Sequence, residues 1–200
     1  MNNIINNKLN YMDNSVFCCL GYFQSENYFK DYSNEIKELF TPIEGVINYL
    51  ENNSNLFDLF PELKQQDINF CLIGVRRGDY LKYKDKLNPC GKDYYDKAIK
   101  YMNKTKYYIL SDDFNWCKQT FIGPEYIFLE NFNDTIHLYI IMLFNNYIIS
   151  NSTFYWWGSY LSIYNSPNII VPDKWVKGYN SKKYYTIYRK NMTIINRNLI

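Results

Sequence analysis

The residues best suited to chemistry in this sequence stand directly after an apolar run, Ile68 to Ile73, that is typical of a buried strand. They are Arg76, Arg77, Gly78, Asp79 and Tyr80. Two adjacent guanidinium groups can hold phosphate oxygens, and a glycine lets backbone approach a ligand closely. The pattern therefore predicts a phosphate or diphosphate site. A surface turn closed by Arg-Gly-Asp is the alternative interpretation.

Two further predicted strand ends carry polar residues in the same way. One group is Ser111, Asp112 and Asp113, and the other is Asn151, Ser152, Thr153 and Phe154. Because the carboxyl ends of parallel strands meet at one edge of a sheet, we expect all three groups to face one ligand. Ser152 and Thr153 precede a predicted helix, whose free N–H groups attract anions. Plain helix capping is the alternative for both groups.

The elements that must position these residues alternate along the chain from Asp67 onward. Predicted strands cover residues 68–75, 106–110, 126–129, 147–150 and 168–171, and predicted helices cover 93–102, 114–121, 135–144 and 153–163. Such alternation with short connections predicts an α/β fold, a Rossmann-like parallel sheet with helices on both faces. Trp156, Trp157 and Tyr160 are interpreted as core aromatics in preference to a ligand platform.

The chain divides into three parts. Residues 1–66 are expected to be a mainly helical segment, with a short strand at Val16 to Tyr22, an N-cap at Ser25 and helical spacing up to Pro42. Residues 67–178 form the predicted Rossmann-like domain. Residues 179–200 are polar and aromatic and are left as a C-terminal tail without an assigned element.

Composition excludes several functional classes. The net charge of +2 gives no global attraction for nucleic acid, and the lysines and arginines form no basic stripe. One histidine and five cysteines without a Cys-x-x-Cys pair do not suggest a zinc site. No stretch predicts a signal peptide or a membrane span, so we expect a reducing, cytoplasmic setting.

The order and wording of the motifs resemble the α-1,2-fucosyltransferase family from about Gly21 to Trp175. The matching stretches are Gly21 to Phe29, Val75 to Tyr80, Tyr94-Tyr95-x-x-Ala98-Ile99, Ser111-Asp112-Asp113-x-x-Trp116, Asn151-Ser152-Thr153-Phe154-x-Trp156-Trp157-Gly158 and Pro172-x-x-Trp175. The resemblance implies inverting transfer of L-fucose from GDP-fucose to a galactoside hydroxyl without an essential metal or other cofactor. It also implies the C-terminal, donor-binding half of a two-Rossmann-domain glycosyltransferase.

On that resemblance, the strand-end residues receive specific roles. Arg76 and Arg77 would contact the diphosphate as the catalytic pair. The donor-binding residues would be Gly78, Asp79, Tyr80, Ser111, Asp112, Asn151, Ser152, Thr153 and Phe154. Stabilising the departing GDP is a large electrostatic task, which fixed guanidinium groups can perform without a divalent ion.

The sequence departs from the family at three places. Gly74 stands where a histidine is usual. His137 occupies a helix position where the family commonly has an acid, and we interpret it as a packed or solvated residue. The family's opening Gly-Gly-Leu-Gly-Asn-Gln segment has no counterpart before Gly21, so we expect the donor half and only the tail of the acceptor half. No general base is assigned: Asp79 is expected to pair with an arginine, and Asp112 and Asp113 are only candidates.

Two hypotheses follow. The first is an α-1,2-fucosyltransferase acting on GDP-fucose and an acceptor glycan, with any membrane association made through that glycan. The second is a nucleotide-sugar-binding remnant, or one half of a split enzyme that a separate chain completes. Donor and acceptor must be held together for efficient transfer, so the second hypothesis predicts GDP binding without turnover.

Overall fold

The computed structural model describes residues 23–65, 67–177 and 185–197. The strands are β1 (Phe70–Val75), β2 (Lys106–Ser111), β3 (Tyr126–Phe128), β4 (Asn146–Ile149), β5 (Asn168–Pro172) and β6 (Met192–Ile195). The helices are α1 (Ser33–Phe40), α2 (Val46–Asn53), α3 (Leu56–Leu59), α4 (Lys84–Leu87), α5 (Lys92–Met102), α6 (Phe114–Thr120), α7 (Asp134–Met142) and α8 (Thr153–Tyr160). Short 3-10 turns occupy Glu26–Tyr28, Lys30–Tyr32, Pro61–Gln65, Asp79–Leu81 and Tyr185–Ile187.

The six strands form one parallel sheet in the order β3-β2-β1-β4-β5-β6. The chain builds outward from β1 in one direction through β2 and β3, and then returns to place β4 on the other side of β1. This order is that of dinucleotide-binding Rossmann folds, and ligands of such sheets bind where the order reverses, outside the carboxyl ends of the strands. The predicted Rossmann-like parallel sheet is therefore confirmed, and its switch point lies between β1 and β4.

Both faces of the sheet are buried, which explains why its central strand is a continuous apolar run. Successive side chains of a strand point to opposite faces. Phe70 and Leu72 belong to the larger core cluster with α7 and α8, whereas Cys71, Ile73 and Val75 belong to a second cluster with α5 and α6. All six residues of β1 are buried, as parallel strands covered by helices on both sides require.

Tyrosine supplies much of this core because its hydroxyl groups find backbone acceptors. Tyr94 is buried and donates to the carbonyl of Ile149 at 2.6 Å. Tyr147 is equally buried and donates to the carbonyl of Ile141 at 2.8 Å. A buried hydroxyl without a partner is costly, so these bonds allow large aromatic rings to fill the interior.

The segment before β1 is helical but less regular than the sequence predicts. The spacing of apolar residues predicts one helix from Tyr28, whereas the structure has two 3-10 turns and begins α1 at Ser33. The predicted N-cap is confirmed for the first turn, since the Ser25 hydroxyl accepts from the Asn27 amide at 3.3 Å. The strand expected at 16–22, and Cys18 and Cys19, lie outside the described residues.

The segment left as a C-terminal tail contains the sixth strand. β6 pairs in parallel with β5, from Met192 opposite Ile169 to Ile195 opposite Pro172. Its residues are partly exposed because β6 is an edge strand, which explains the weak apolar pattern there. Within the described residues, no helix has the length and apolar character needed to cross a membrane.

Candidate active site

A cleft of about 530 Å³ opens at the carboxyl ends of the strands beside the switch point. The residues that the sequence predicted and that line it are Arg76, Asp79, Tyr80, Ser111, Asp112, Asn151, Ser152, Thr153 and Phe154. The fold thus brings the ends of β1, β2 and β4 to one cavity. Of the predicted residues, Arg77 and Gly78 are outside its lining.

Arg76 is the cation that faces the cleft, and two carboxylates hold it. Its Nη2 lies 2.9 Å from Asp79 Oδ1, and its Nη1 lies 3.2 Å from Asp112 Oδ2. Partial burial opposes the charge, but Asp112 and Asp79 outweigh that effect and raise the pKa of Arg76. About 38% of the side chain remains exposed, so a fixed, protonated guanidinium is accessible to an anion.

Arg77 points away from the cleft. Its guanidinium lies 4.0 Å from the ring centre of Trp116, and its Nε is 3.3 Å from Asp113 Oδ2. Consecutive residues of an extended segment project to opposite sides, so adjacent arginines at a strand end do not reach the same cavity. Arg77 instead lines a neighbouring hollow of about 430 Å³ next to α5.

Asp112 and Asp113 have different roles, although the sequence offered ligand binding and helix capping as alternatives for both. Asp113 accepts from the Trp116 amide at 3.1 Å and caps α6. Asp112 turns to β1, where its Oδ1 accepts from the Arg77 amide at 2.8 Å. A Cβ atom at Gly78 would lie only 2.6 Å from Asp112 Oδ2, so the glycine permits this close approach.

The N-terminus of α8 is occupied by a side chain from the N-terminal segment. With its amide oxygen turned towards the helix, Gln24 accepts from Thr153 N at 3.2 Å, Thr153 Oγ1 at 3.0 Å and Trp175 Nε1 at 3.2 Å. Ser152 is the N-cap residue but makes no capping bond through its side chain. Gln24 therefore takes the position in which an anion would accept from the first amide of the helix.

Asn151 supports the site instead of offering free donors to it. Its amide nitrogen donates to the carbonyls of Leu87 at 2.6 Å and Trp175 at 2.7 Å. Its backbone carbonyl accepts from the Tyr80 hydroxyl at 2.9 Å. Asn151 is almost fully buried, and these bonds join the loop after β1, the end of β4 and the segment after β5.

The comparisons with known proteins agree with this geometry. The sequence model of Glycosyl transferase family 11 matches residues 1–196. The chain belongs to this family. This match confirms the resemblance to α-1,2-fucosyltransferases that the motifs indicate, because the relatives described next are related to those enzymes.

Two curated family relatives from Escherichia coli show how far the similarity extends. O-antigen biosynthesis glycosyltransferase WbnK is 28% identical over 183 residues, which are 84% of this chain and 58% of the relative. Alpha-1,2-colitosyltransferase is 29% identical over 168 residues, 78% of this chain and 55% of the relative. The chain thus spans little more than half the length of these relatives. No solved structure matches it significantly.

The ring of Tyr155 packs against Gly74, the position at which the motif resemblance leads us to expect a histidine. A Cβ atom at Gly74 would lie 2.6 to 2.9 Å from atoms of the Tyr155 ring. The Tyr155 hydroxyl donates to the carbonyls of Leu110 at 2.8 Å and Val75 at 3.2 Å. The ring fills the space above the glycine, so α8 packs directly on the ends of β1 and β2.

Among the polar residues of the cleft lining, sequence reasoning assigned no site role to Gln24, Asp134 or His137. His137 was interpreted as packed or solvated, and the structure places it half-buried on the cleft wall, with a buried Nε2 that has no hydrogen-bond partner among the described residues. Asp134 precedes it by one helical turn on α7. Their i, i+3 spacing was the available signal, since it puts both side chains on one helix face.

Within the described residues, no group of three or more histidine, cysteine, aspartate or glutamate side chains is arranged to hold a metal ion. The expectation of metal-independent chemistry stays a prediction.

Replacing Gly74 tests the contact with Tyr155. Gly74→Ala places a methyl group against a rigid ring and should lower the free energy of unfolding by about 1–3 kcal/mol. In the Tyr155→Ala background the same change should cost much less, because the ring is absent. Urea denaturation of the four proteins in the cycle measures the difference; equal costs in both backgrounds would contradict the packing.

His137 predicts a specific pH dependence of stability. Burial lowers its pKa, although a hydrogen bond to the Leu129 backbone and the charge of Asp134 act in the opposite direction. The unfolded chain therefore takes up this proton at a higher pH than the folded chain does. From about pH 7 to pH 5 the free energy of unfolding should fall, and His137→Gln should remove that part of the slope. Parallel slopes for both proteins in denaturation series would contradict it.

Proposed function

We propose that this chain binds GDP-fucose in the switch-point cleft and transfers L-fucose to a hydroxyl of a galactoside. The observation that carries the proposal is the convergence of Arg76 and the N-terminus of α8 at the ends of β1 and β4. Membership of Glycosyl transferase family 11 supports a transferase acting on a nucleotide sugar and a glycan. The choice of fucose rests on the family resemblance of the motifs.

The diphosphate is expected to lie between Arg76 and the first turn of α8. Arg76 would supply charge, and Ser152 and Thr153 would supply hydroxyl and amide donors. To bind there, the phosphates must displace the Gln24 oxygen from Thr153 and share Arg76 with Asp79 and Asp112. A diphosphate carries more charge than either carboxylate, which favours the exchange.

The chemical step needs the departing GDP to be stabilised as its bond to the fucose anomeric carbon breaks. The new bond forms to the acceptor oxygen from the opposite face of the sugar, and the acceptor proton leaves to a base. Arg76 and the α8 amides are preorganised donors for the charge that develops on the diphosphate. Asp79 and Asp112 are paired with Arg76, so neither is assigned as the base.

A second candidate function is donor binding without transfer. The match covers 58% of WbnK and 55% of the colitosyltransferase, so the donor cleft is the part of those proteins that this chain is proposed to share. In this candidate function a separate polypeptide supplies the acceptor-binding wall of the cleft. A GDP-release assay with galactosides separates the candidates: GDP binding with turnover supports the transferase, and GDP binding without turnover supports the second function.

The identity of the sugar needs its own comparison, because one relative is named as a colitosyltransferase. GDP-fucose and GDP-colitose should be offered in parallel in the same assay. We expect faster release of GDP from GDP-fucose. If GDP is released clearly faster from GDP-colitose, the proposed nucleotide site stands and the transferred sugar is colitose instead of fucose.

The two arginines should behave differently towards GDP. Arg76→Ala removes a charge-assisted contact worth about 1.5–3 kcal/mol, so calorimetry should show GDP binding weakened by roughly 10- to 150-fold. Arg77→Ala should mainly lower stability, since its contacts are with Trp116 and Asp113. A larger loss of GDP affinity in Arg77→Ala than in Arg76→Ala would reverse this assignment.

Gln24 provides an independent test of the phosphate position. Gln24→Glu places a carboxylate on the α8 N-terminus, which should stabilise the fold by about 0.3–1 kcal/mol and weaken GDP binding by direct competition. Gln24→Ala leaves the amides free and serves as the matched control, with GDP affinity retained or increased. If Gln24→Glu binds GDP as well as the natural chain, the phosphates do not use this helix terminus.

A further inference from the structure

A second hollow, of about 630 Å³, lies beside the end of α8, away from the cleft. We call it the Arg189 hollow and define it by Glu26, Lys30, Lys37, Arg189 and Lys190. Its walls come from the segment 26–37, the turn before β5 and the turn before β6. Neither the strand-end motifs nor the proposed nucleotide site uses any of these residues.

The charge of the Arg189 hollow is strongly positive for a chain whose net charge is only +2. Four cationic side chains line it, and Glu26 is the acidic side chain in its lining. Lys30 and Lys190 are exposed, Lys37 is half-buried and Arg189 is buried. A concave surface lined by one sign of charge concentrates ligands of the opposite sign.

Arg189 is the residue that indicates a ligand. It is only 8% exposed, and its Nε is buried without a hydrogen-bond partner in the part of the chain that the structure describes. Its Nη2 donates to Ser159 Oγ at 3.1 Å, while Glu26 Oε1 is 3.9 Å from Nε, too far for a hydrogen bond. Burial outweighs the nearby Glu26 charge and lowers the pKa of Arg189 to about 10. Glu26 forms an ion pair with Arg189, and the ring centres of Trp156 and Tyr160 lie 5.4 Å from its guanidinium. No carboxylate among the described residues reaches hydrogen-bond distance of this buried charge, which favours an external anion.

The remaining lining suits a sugar better than a small inorganic ion. Asn34, Asn165 and Asn191 are exposed amides around the rim, and Ser33 and Ser166 add hydroxyl groups. Amide and hydroxyl groups donate and accept hydrogen bonds, as the hydroxyls of a sugar require. A hollow of this size also exceeds what phosphate alone would fill.

We propose that the Arg189 hollow binds a carboxylate-bearing sugar, such as a uronic acid, through Arg189 and the lysines. We assign that sugar to the acceptor glycan, an assignment that rests on the proposed function. The planar guanidinium matches a carboxylate, which can accept two parallel N–H bonds. Arg189 fixes the carboxylate, and the amides of the rim bind the sugar ring.

The position of the hollow fits a glycan that reaches the cleft. Helix α8 joins the two sites, since Thr153 lines the cleft and Tyr160 lines the hollow. Eight helical residues span about 10 Å.

On the N-terminal segment, Gln24 and Glu26 connect the same two sites. The N-terminal segment covers the outer face of α8, where Phe29 and Phe40 stack on Trp157. A short oligosaccharide would therefore run over that segment from the hollow to the cleft.

Calorimetric titration with glucuronate, beside glucose as the neutral counterpart, tests the binding site. We expect glucuronate to bind at least about tenfold more tightly than glucose, a difference of roughly 1.4 kcal/mol. The double variant Lys30→Ala/Lys37→Ala should weaken glucuronate binding about tenfold, a comparable free-energy difference. Lys64→Ala, an exposed lysine paired with Glu51 elsewhere, is the matched control and should not change it.

Arg189→Gln should abolish glucuronate binding, with circular dichroism as the check on folding; if that variant does not fold, the lysine pair decides. Equal binding of glucuronate and glucose, no effect of the lysine changes, or binding of inorganic phosphate in preference to glucuronate would overturn the proposal. GDP affinity should be unchanged in the lysine variant. If the natural chain binds glucuronate but does not bind GDP, the nucleotide site and the acceptor assignment are contradicted, whereas the sugar site is not.

Discussion

The contact between Tyr155 and Gly74 joins the parts on which the candidate site depends. The ring rests on the glycine of β1, and the hydroxyl donates to the carbonyls of Val75, the last residue of β1, and Leu110, the residue before the end of β2. One buried side chain of α8 thereby connects both strand ends with the helix that follows β4. Because the strand order reverses between β1 and β4, the contact crosses the switch point itself. The distance between Arg76 and the α8 N-terminus is consequently set by packing, as a preorganised anion site requires.

The charges around this contact are local and balanced in the described structure. Arg76 is shared by Asp79 and Asp112, and Gln24 occupies the helix amides. Arg76 and Thr153, which would hold the diphosphate, thus have weaker partners already in place. A ligand with more negative charge, such as a diphosphate, can therefore displace Gln24 and compete with the two carboxylates for Arg76. The Arg189 hollow differs, because the carboxylate of Glu26 lies 3.9 Å from the buried Nε of Arg189 and no described residue accepts a hydrogen bond from that atom.

Much of the fold could be predicted from the sequence, and the reasons are physical. Parallel strands buried on both faces are short apolar runs, so β1, β2, β4 and β5 were found within two residues of their observed bounds. The edge strand β6 is partly exposed and carries no such run, and it was left in the tail. The 3-10 turns before α1 share helical spacing with α-helix, which is why one continuous helix was predicted there.

The strand-end motifs led to the cleft, but spacing along the chain could not determine side-chain direction. Arg76 and Arg77 look equivalent in sequence, yet alternation at the strand end sends Arg77 to Trp116 on the other side. Gln24 reaches α8 from more than a hundred residues away, and nothing in its neighbourhood predicts that contact. The sequence showed that Gly74 carries no imidazole, but it could not show that the ring of Tyr155 packs against this glycine.

Hydrogen–deuterium exchange with and without GDP tests the central claim most directly, because it reports where a nucleoside diphosphate binds. The account predicts slower exchange of the backbone amides in two segments, residues 76–80 and residues 152–156, with no change around Arg189. Unchanged exchange in both segments at a GDP concentration that saturates binding, or protection confined to another part of the chain, would contradict the switch-point cleft as the nucleotide site.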